Sequence, residues 1–186
     1  MIEKPPESPA NRIRSAIAEI IANVTNVGSV HSELRYISKP SELAELYRYD
    51  RDEWDDKKRK VYRGFAIQRA AAGDVTDVAT GHETLTAMGR QARPYSFQIV
   101  GHSSFLDGAA TEEEFEAVVD AVMDQLDRQH RLGGKADAAL AADGRVLSSG
   151  PSRATAFEFR QLAGILCHYC EITFNVIYER SVAYVD

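Results

Sequence analysis

The sequence predicts an α+β fold: a mainly antiparallel sheet of four to five strands, with two main amphipathic helices on one face and a short third helix. Two observations indicate this class. Apolar residues recur at helical spacing in segments 11–24 and 115–126, and they alternate with polar residues in several segments typical of half-buried strands. The 186 residues and the 44% hydrophobic share suit one domain with its own core.

The first predicted helix follows a proline-rich start. Prolines within residues 1–10 restrict both helix and strand, so this segment is expected to form a flexible N-terminal arm. After it, apolar side chains share one helical stripe, namely Ile13, Ile17, Ile20, Ile21 and Val24. A single domain is therefore predicted over residues 11–180, followed by a β-prone C-terminal tail over 181–186.

A polar strand and the short third helix come next. After a glycine that ends the first helix, residues 29–37 are predicted to form a rather polar strand. Pro40 then suits the first turn of a short helix, which has Ser38 or Ser41 as its cap and ends near Tyr49.

A charged run occupies residues 51–60, acidic in its first half and basic in its second. Trp54 lies within it, and its basic half is formed by Lys57, Lys58, Arg59 and Lys60. A solvated loop and a dedicated binding patch both fit this pattern. Because an exposed tryptophan among charges is typical of an interface anchor, the run is a candidate partner surface.

Two half-buried strands are predicted over residues 61–69 and 94–100, since each segment places its large apolar residues on one parity. They are expected to form an antiparallel pair. The connection 70–93 is rich in small residues and is predicted to be a long loop. Loops of this length usually carry function or are disordered.

The strongest predicted helix covers residues 111–131. Thr111 with Glu114 forms a capping box at its start, and further glutamates oppose the positive end of the helix dipole. Glycines end the helix, and a connection of small residues is predicted over 133–152.

Two strands are predicted to close the chain, one over residues 154–162 and a long one that follows Gly164 and runs to Tyr178. The second alternates apolar and polar residues over its whole length and should have one buried face. Cys167 and Cys170 form a C-x-x-C pair in this context. On a strand their side chains point to opposite faces, so a redox or zinc role is disfavoured and two reduced thiols are expected.

No other constellation indicates chemistry. His102 next to Ser103 and Ser104 places a histidine beside hydroxyls, but the sequence lacks the G-x-S-x-G turn of a nucleophile. The five histidines show no metal-ligand spacing. We therefore predict no catalytic residue, no cofactor and no metal, and a protein that is not an enzyme.

Charge and hydropathy disfavour nucleic-acid-binding, membrane-spanning and secreted proteins. With 22 basic and 28 acidic residues the formal net charge is −6, which repels nucleic acid at long range. The sequence has no uninterrupted apolar stretch of about 18 residues and no apolar signal region near Met1, so it is predicted to be neither membrane-spanning nor secreted.

The order of these elements resembles that of tail terminator proteins of long-tailed bacteriophages, the family typified by the minor tail protein U of phage lambda. The resemblance rests on the first helix running into the segment 30–36, the strand pair, the capped helix, and the closing segment 163–178, AGILCHYCEITFNVIY. It covers roughly residues 11–180.

This resemblance implies a structural virion protein that forms a six-fold ring on the head-proximal end of the tail tube. Such a ring stops tube growth and joins tail to head. The implied partners are other copies of the chain, the tail tube protein and a head-completion or connector protein, with DNA passing through the channel without sequence-specific binding and with no membrane. The implied location is the neck region of the virion, reached through the host cytoplasm during assembly.

Ring contacts cannot be transferred from the family residue by residue, so they are predicted from charge and exposure. A head-to-tail ring needs two different complementary patches on each subunit. The candidate contact residues are Trp54, Lys57, Lys58, Arg59, Lys60, Arg90, Arg93, Glu112, Val182 and Tyr184. The alternatives are another neck protein, for head closure or tail completion, and a small cytosolic ligand-binding domain or enzyme.

Overall fold

The computed structural model describes residues 8–49, 61–70, 84–86, 90–105, 108–132 and 144–181. These residues form three helices and eight strands, more strands than the four to five predicted, and the predicted α+β class is confirmed. The elements in chain order are α1 (Pro9–Ile21), β1 (Ser29–His31), α2 (Pro40–Tyr47), β2 (Arg48–Tyr49), β3 (Val61–Arg69), β4 (Thr84–Thr86), β5 (Arg90–Ser104), α3 (Gly108–Asp127), β6 (Gly144–Ser149), β7 (Arg153–Leu162) and β8 (Ile165–Ser181).

The sheet is built around two long neighbouring strands, β5 and β8. The strand order is β1-β3-β5-β8-β6, and the short strand β2 also pairs with β3. β8 pairs with one edge of β5 over the whole length of β5, and β3 and β4 pair with different parts of its other edge. In the same way, β6 and β7 pair with different parts of the outer edge of β8. Only β1 and β3 are parallel, so the mainly antiparallel prediction is confirmed.

The two long helices cover one face of this sheet, as predicted. The apolar side chains of α1, which include Ile13 and Ile17, and those of α3 pack together against alternate residues of β3, β5 and β8. Phe65 of β3 stacks against Phe115 of α3 with ring centroids 6.3 Å apart. Every second residue of the central strands is thereby removed from water, which is the main stabilising contribution to the fold.

The short helix α2 lies on the opposite face of the sheet, which we call the second face. Its buried residues Leu43 and Tyr47 form a separate cluster with Tyr62. Tyr62 and Gly64 alternate in β3 with Phe65, which belongs to the helix-side core, so they face the other way. A Cβ atom at Gly64 would lie 2.5 Å from Cδ1 of Tyr47, and the glycine is therefore what allows α2 to seat this closely.

Several element boundaries differ from the predictions. Helix α1 begins at Pro9, two residues inside the predicted arm, because the Ser8 hydroxyl accepts a hydrogen bond from the Asn11 N–H (3.3 Å) and proline suits the first helical turn. The polar strand ends at His31 instead of residue 37. Helix α2 has Lys39 at its N-cap position rather than Ser38 or Ser41.

The predicted capping box of the long helix is wrong. Helix α3 starts at Gly108, so Thr111 lies within its first turn, and the Thr111 hydroxyl instead contacts Nε2 of His168 at 3.0 Å. Two predicted connections also contain strands. β4 and the start of β5 lie inside the predicted loop 70–93, and β6 lies inside the predicted connection 133–152. Among the described residues, no helix is long and apolar enough to span a membrane.

Candidate subunit interface

Strand β7 forms an open edge of the sheet. It pairs with β8 on one side through a tight turn, in which Ala163 and Gly164 both have positive φ (51° and 81°) as a two-residue hairpin requires. No other described strand pairs with the outer side of β7, and most of its 10 residues are exposed. Within the described part of the chain, its outer main-chain N–H and C=O groups are therefore left for a further strand to pair with.

Two phenylalanines on this edge lie beyond the reach of the helices. Phe157 lies opposite Cys170, a member of the helix-side core, and Phe159 lies opposite His168. A helix is about 10 Å wide and strands are about 4.8 Å apart, so two helices cover about four strand positions and leave the outermost one bare. Phe157 is accordingly 48% exposed and Phe159 51% exposed.

An aromatic cluster extends this patch inward. The ring of Phe105 packs against Phe159 (centroids 5.9 Å apart) and against His168 (5.4 Å). Phe159 also contacts His168, at 5.1 Å. We call the outer side of β7 together with Phe105, Phe157 and Phe159 the aromatic edge.

His168 fixes the inner boundary of the aromatic edge. Its ring is buried, and Nε2 lies 3.0 Å from Oγ1 of Thr111, the contact that ties the start of α3 to β8. Burial lowers the pKa of His168, against the raising effect of the nearby Glu112 carboxylate. The uncharged imidazole is therefore part of an apolar support for the exposed rings.

Acidic side chains border the aromatic edge. Glu112, Glu113 and Glu116 are exposed on the first turns of α3, and we call them the acidic rim. A shallow depression of about 130 Å³ lies between this rim and β7 and is lined by residues that include Glu112, Glu116 and Phe157. Apolar rings beside unpaired carboxylates suit a partner surface that presents apolar groups and cations together.

The fourth glutamate of this helix start has a structural role. Glu114 accepts a hydrogen bond of 2.7 Å from Nη1 of Arg63, which is itself buried in β3. Arg63 also donates from Nε to Oγ of Ser103 (3.1 Å) and from Nη1 to the carbonyl of Asn26 (3.2 Å). This buried charge is thus well hydrogen-bonded, and it locks α3 to the sheet beneath the acidic rim.

The three predicted contact residues that the structure describes do not lie together. Glu112 lies in the acidic rim, whereas Arg90 is at the far end of β5, where it pairs with Glu179 at 3.3 Å, and Arg93 is half-buried on the same strand. Arg145 shares the Glu179 carboxylate at 2.9 Å. The remaining candidates lie outside the described residues: Trp54, Lys57, Lys58, Arg59, Lys60, Val182 and Tyr184.

The aromatic edge is the feature that sequence reasoning missed. Phe157 and Phe159 were predicted to be on a strand, but their exposure depends on that strand being outermost in the sheet. The sequence carries no signal of that position, because charged Glu158 and Arg160 on the other parity show only that the opposite face of the strand is polar.

The two cysteines lie on opposite faces, as predicted. Cys170 belongs to the helix-side core, and Cys167 lines a cleft on the second face. Both thiols are free, and burial raises the pKa to about 11 for Cys167 and to about 12 for Cys170. Protonated thiols on two sides of a sheet do not form a redox pair.

The hydroxyls next to His102 are already engaged. Ser103 Oγ accepts from Arg63 on the helix side, and Ser104 Oγ accepts from the Tyr62 N–H at 3.1 Å. No hydrogen bond joins either to His102 within the described part of the chain. No group of three or more His, Cys, Asp or Glu side chains suited to a metal ion occurs among these residues.

Comparison with known proteins gives no family assignment. No family model matches the chain. No curated protein matches it either.

Proposed function

We propose that this chain is a structural subunit that assembles head to tail into a ring, and that the ring is the tail terminator of a long-tailed bacteriophage. The observation that supports self-assembly is the aromatic edge. No described strand pairs with the outer side of its 10-residue strand, and two phenylalanine side chains on that strand are half exposed. Soluble proteins usually protect such an edge, so its exposure indicates a surface that another chain covers.

The two sides of the sheet differ in the way that a ring requires. A closed ring joins one surface of each subunit to a different surface of the next. The β7 side is long, aromatic and bordered by carboxylates, whereas β1 on the opposite side spans only Ser29–His31 and is half-buried. Surfaces so unlike favour a head-to-tail contact over a two-fold one.

The terminator part of the proposal rests on the resemblance in element order. It places the ring at the head-proximal end of the tail tube, against the tube protein and a head-completion protein, with DNA in the channel. The net charge of −6 supports this position, because an acidic ring does not hold the phosphates of passing DNA. No catalytic residue, cofactor or metal is part of this function.

Light scattering over a range of protein concentrations, followed by negative-stain microscopy, tests the assembly. We expect the full chain to form closed rings as its concentration rises. The variant Phe157→Lys/Phe159→Lys should remain monomeric, because it places two charges on the proposed contact surface. Its circular dichroism spectrum should be unchanged, because the two phenylalanine side chains are not part of the buried core. The control variant Ala121→Lys/Gln125→Lys adds the same two charges to α3 and should still assemble.

Two outcomes would contradict self-assembly through this edge. One is a wild-type chain that stays monomeric at every concentration, and the other is a phenylalanine variant that forms rings as readily as the control. The terminator role has its own test, in which rings are added to polymerising tail tube protein from the same phage. We expect shorter, capped tubes; unchanged tube lengths would favour another position in the neck.

A further inference from the structure

The second face of the sheet carries a cleft of about 600 Å³ that the proposed ring contact does not use. Its floor is formed by β5 and β8, one wall by α2 and residues 34–37, and the other by the end of β7. The lining includes the apolar residues Leu34, Tyr36, Ile37, Val100 and Leu162. A cavity of this size and character is typical of small-molecule sites.

Two residues that line this cleft each carry a buried polar atom with no hydrogen-bond partner among the described residues. Tyr47 is 0% exposed and His102 is 4% exposed, with their rings in edge contact at 4.1 Å. The Tyr47 hydroxyl and Nε2 of His102 are both unpaired in the described part of the protein. Because an unpaired buried polar group is costly, a molecule held in the cleft that reached these two atoms and supplied the missing hydrogen bonds would be stabilised there.

The protonation states of the two groups define what they can offer. Burial raises the pKa of Tyr47 to about 12, opposed by the positive charge of nearby Arg35. Burial, with a smaller contribution from His31, lowers the pKa of His102 to about 4. At neutral pH the cleft therefore presents a phenol that donates a hydrogen bond and an uncharged imidazole that donates from Nε2 in one of its tautomers.

Arg35 is the cationic side chain at this cleft that could contact a bound anion. It is exposed and lines the opening, and it forms no ion pair with any described residue. Arg160, by contrast, is stacked over the Tyr169 ring at 3.7 Å and lies 3.7 Å from Glu171. Glu171 in turn accepts hydrogen bonds from Gln98 (2.6 Å) and from the Tyr169 hydroxyl, so it is not an open acceptor.

We propose that this cleft binds a small organic carboxylate with an apolar body, its carboxylate held by Arg35, the Tyr47 hydroxyl and the His102 imidazole. A guanidinium beside neutral donors is the arrangement that recognises a carboxylate. The apolar body would contact the aliphatic and aromatic lining, including Leu34 and Leu162. An ammonium ligand would meet a cation and no free acidic acceptor. This inference does not rest on ring formation.

Titration calorimetry of the full chain with octanoate tests the proposal, with octylamine and octanamide as matched probes of the same length. We expect saturable binding of octanoate at one site, binding of octanamide weaker by about tenfold for loss of the charge, and no binding of octylamine. The octanoate complex should also melt at a higher temperature than the free protein.

Two variants separate ligand recognition from folding. Arg35→Gln should weaken octanoate binding about tenfold without changing stability, because Arg35 is exposed and forms no ion pair with a described residue. Tyr47→Phe should also weaken binding, yet leave the free protein as stable as before or more so, since it removes an unsatisfied buried hydroxyl. The control Arg128→Gln, on the exposed side of α3, should change neither property.

Three results would overturn the proposal: no octanoate binding at millimolar concentration, equal binding of octylamine and octanoate, or unchanged octanoate affinity in Arg35→Gln. Repeating the octanoate titration with the variant Phe157→Lys/Phe159→Lys tests ligand binding independently of ring formation. Octanoate should bind that variant with wild-type affinity whether or not the wild-type chain forms rings.

Discussion

His102 links the pH dependence of folding to one buried residue. The ordinary histidine pKa of about 6.5 applies in the unfolded chain, and burial lowers it to about 4 in the fold. Between these values the unfolded state binds a proton that the folded state does not, so stability rises with pH. The contribution is complete above about pH 6.5 and falls by about 3 kcal/mol as the pH drops to 4.

Urea unfolding at about pH 7 and about pH 5 measures this contribution. We expect wild-type protein to lose stability on acidification and His102→Gln to lose much less. The exposed His130 provides a matched control, and His130→Gln should retain the wild-type slope. The lowered pKa of buried His168 adds a term in the same direction to all three proteins. An unchanged slope in His102→Gln would contradict the assignment.

At the scale of elements, Gly64 determines how α2 seats on the second face. A Cβ atom there would press on the Tyr47 ring at 2.5 Å and on the Ser29 carbonyl oxygen, so Gly64→Ala should strain both α2 and β1. We expect a loss of about 2 kcal/mol in the free energy of unfolding, typical of overpacking. Chemical denaturation checks this value.

Gly150→Ala is the matched control for that substitution. Its Cβ would meet Asn175 Cβ at 3.7 Å, an ordinary contact, so its stability should stay within about 0.5 kcal/mol of wild type. Equal stability of the two alanine variants would show that α2 shifts without cost, and the close seating of Tyr47 would then not be a constraint.

Elements with a strong period were predictable from the sequence. The structure confirms the isoleucine stripe of α1 and the alternation of buried and less buried residues in β8, because each pattern reflects burial of one side of one element. The short strands β4 and β6 carry too few residues to show a period, and they form through partners distant in sequence. The predicted capping role of Thr111 was wrong for a similar reason, because the Thr111 hydroxyl contacts His168 on a strand distant in sequence.

The two proposed functional surfaces were less predictable, since each depends on topology. The aromatic edge exists because β7 is outermost, and strand order is not contained in the pattern of β7 itself. The cleft unites Arg35 and Tyr47 near the start of the chain with His102 in β5. Only the docking of α2 on the second face brings these residues together, and that docking depends on the close approach allowed by Gly64.

At the scale of the whole molecule, the two layers separate two kinds of surface. The helix layer leaves the aromatic edge and the acidic rim at one margin of the sheet, and the second face carries the cleft. The proposed assembly surface is therefore bordered by carboxylates on a chain that is already acidic. If rings form there, the neighbouring subunit must offset this charge, and the basic half of the charged run, Lys57 to Lys60, is the predicted counterpart.

Salt dependence of assembly tests this charge pairing. Exposed ion pairs are screened within about 8 Å at physiological ionic strength, so ring formation should weaken as salt increases. The variant Glu112→Gln/Glu116→Gln should assemble less well at low salt and show a shallower salt dependence. The control Asp120→Asn/Asp124→Asn removes the same charge from the exposed middle of α3 and should behave as wild type.

A charge exchange then identifies the partner surface. Replacing Lys57, Lys58, Arg59 and Lys60 together by Glu should abolish rings while the monomer stays folded, because carboxylates would face the acidic rim. Adding Glu112→Lys and Glu116→Lys to that variant should restore assembly, measured as mass by light scattering, since the attraction is re-formed with its signs reversed. Rings that persist in the first variant, or that fail to return in the second, would place the basic run away from the acidic rim.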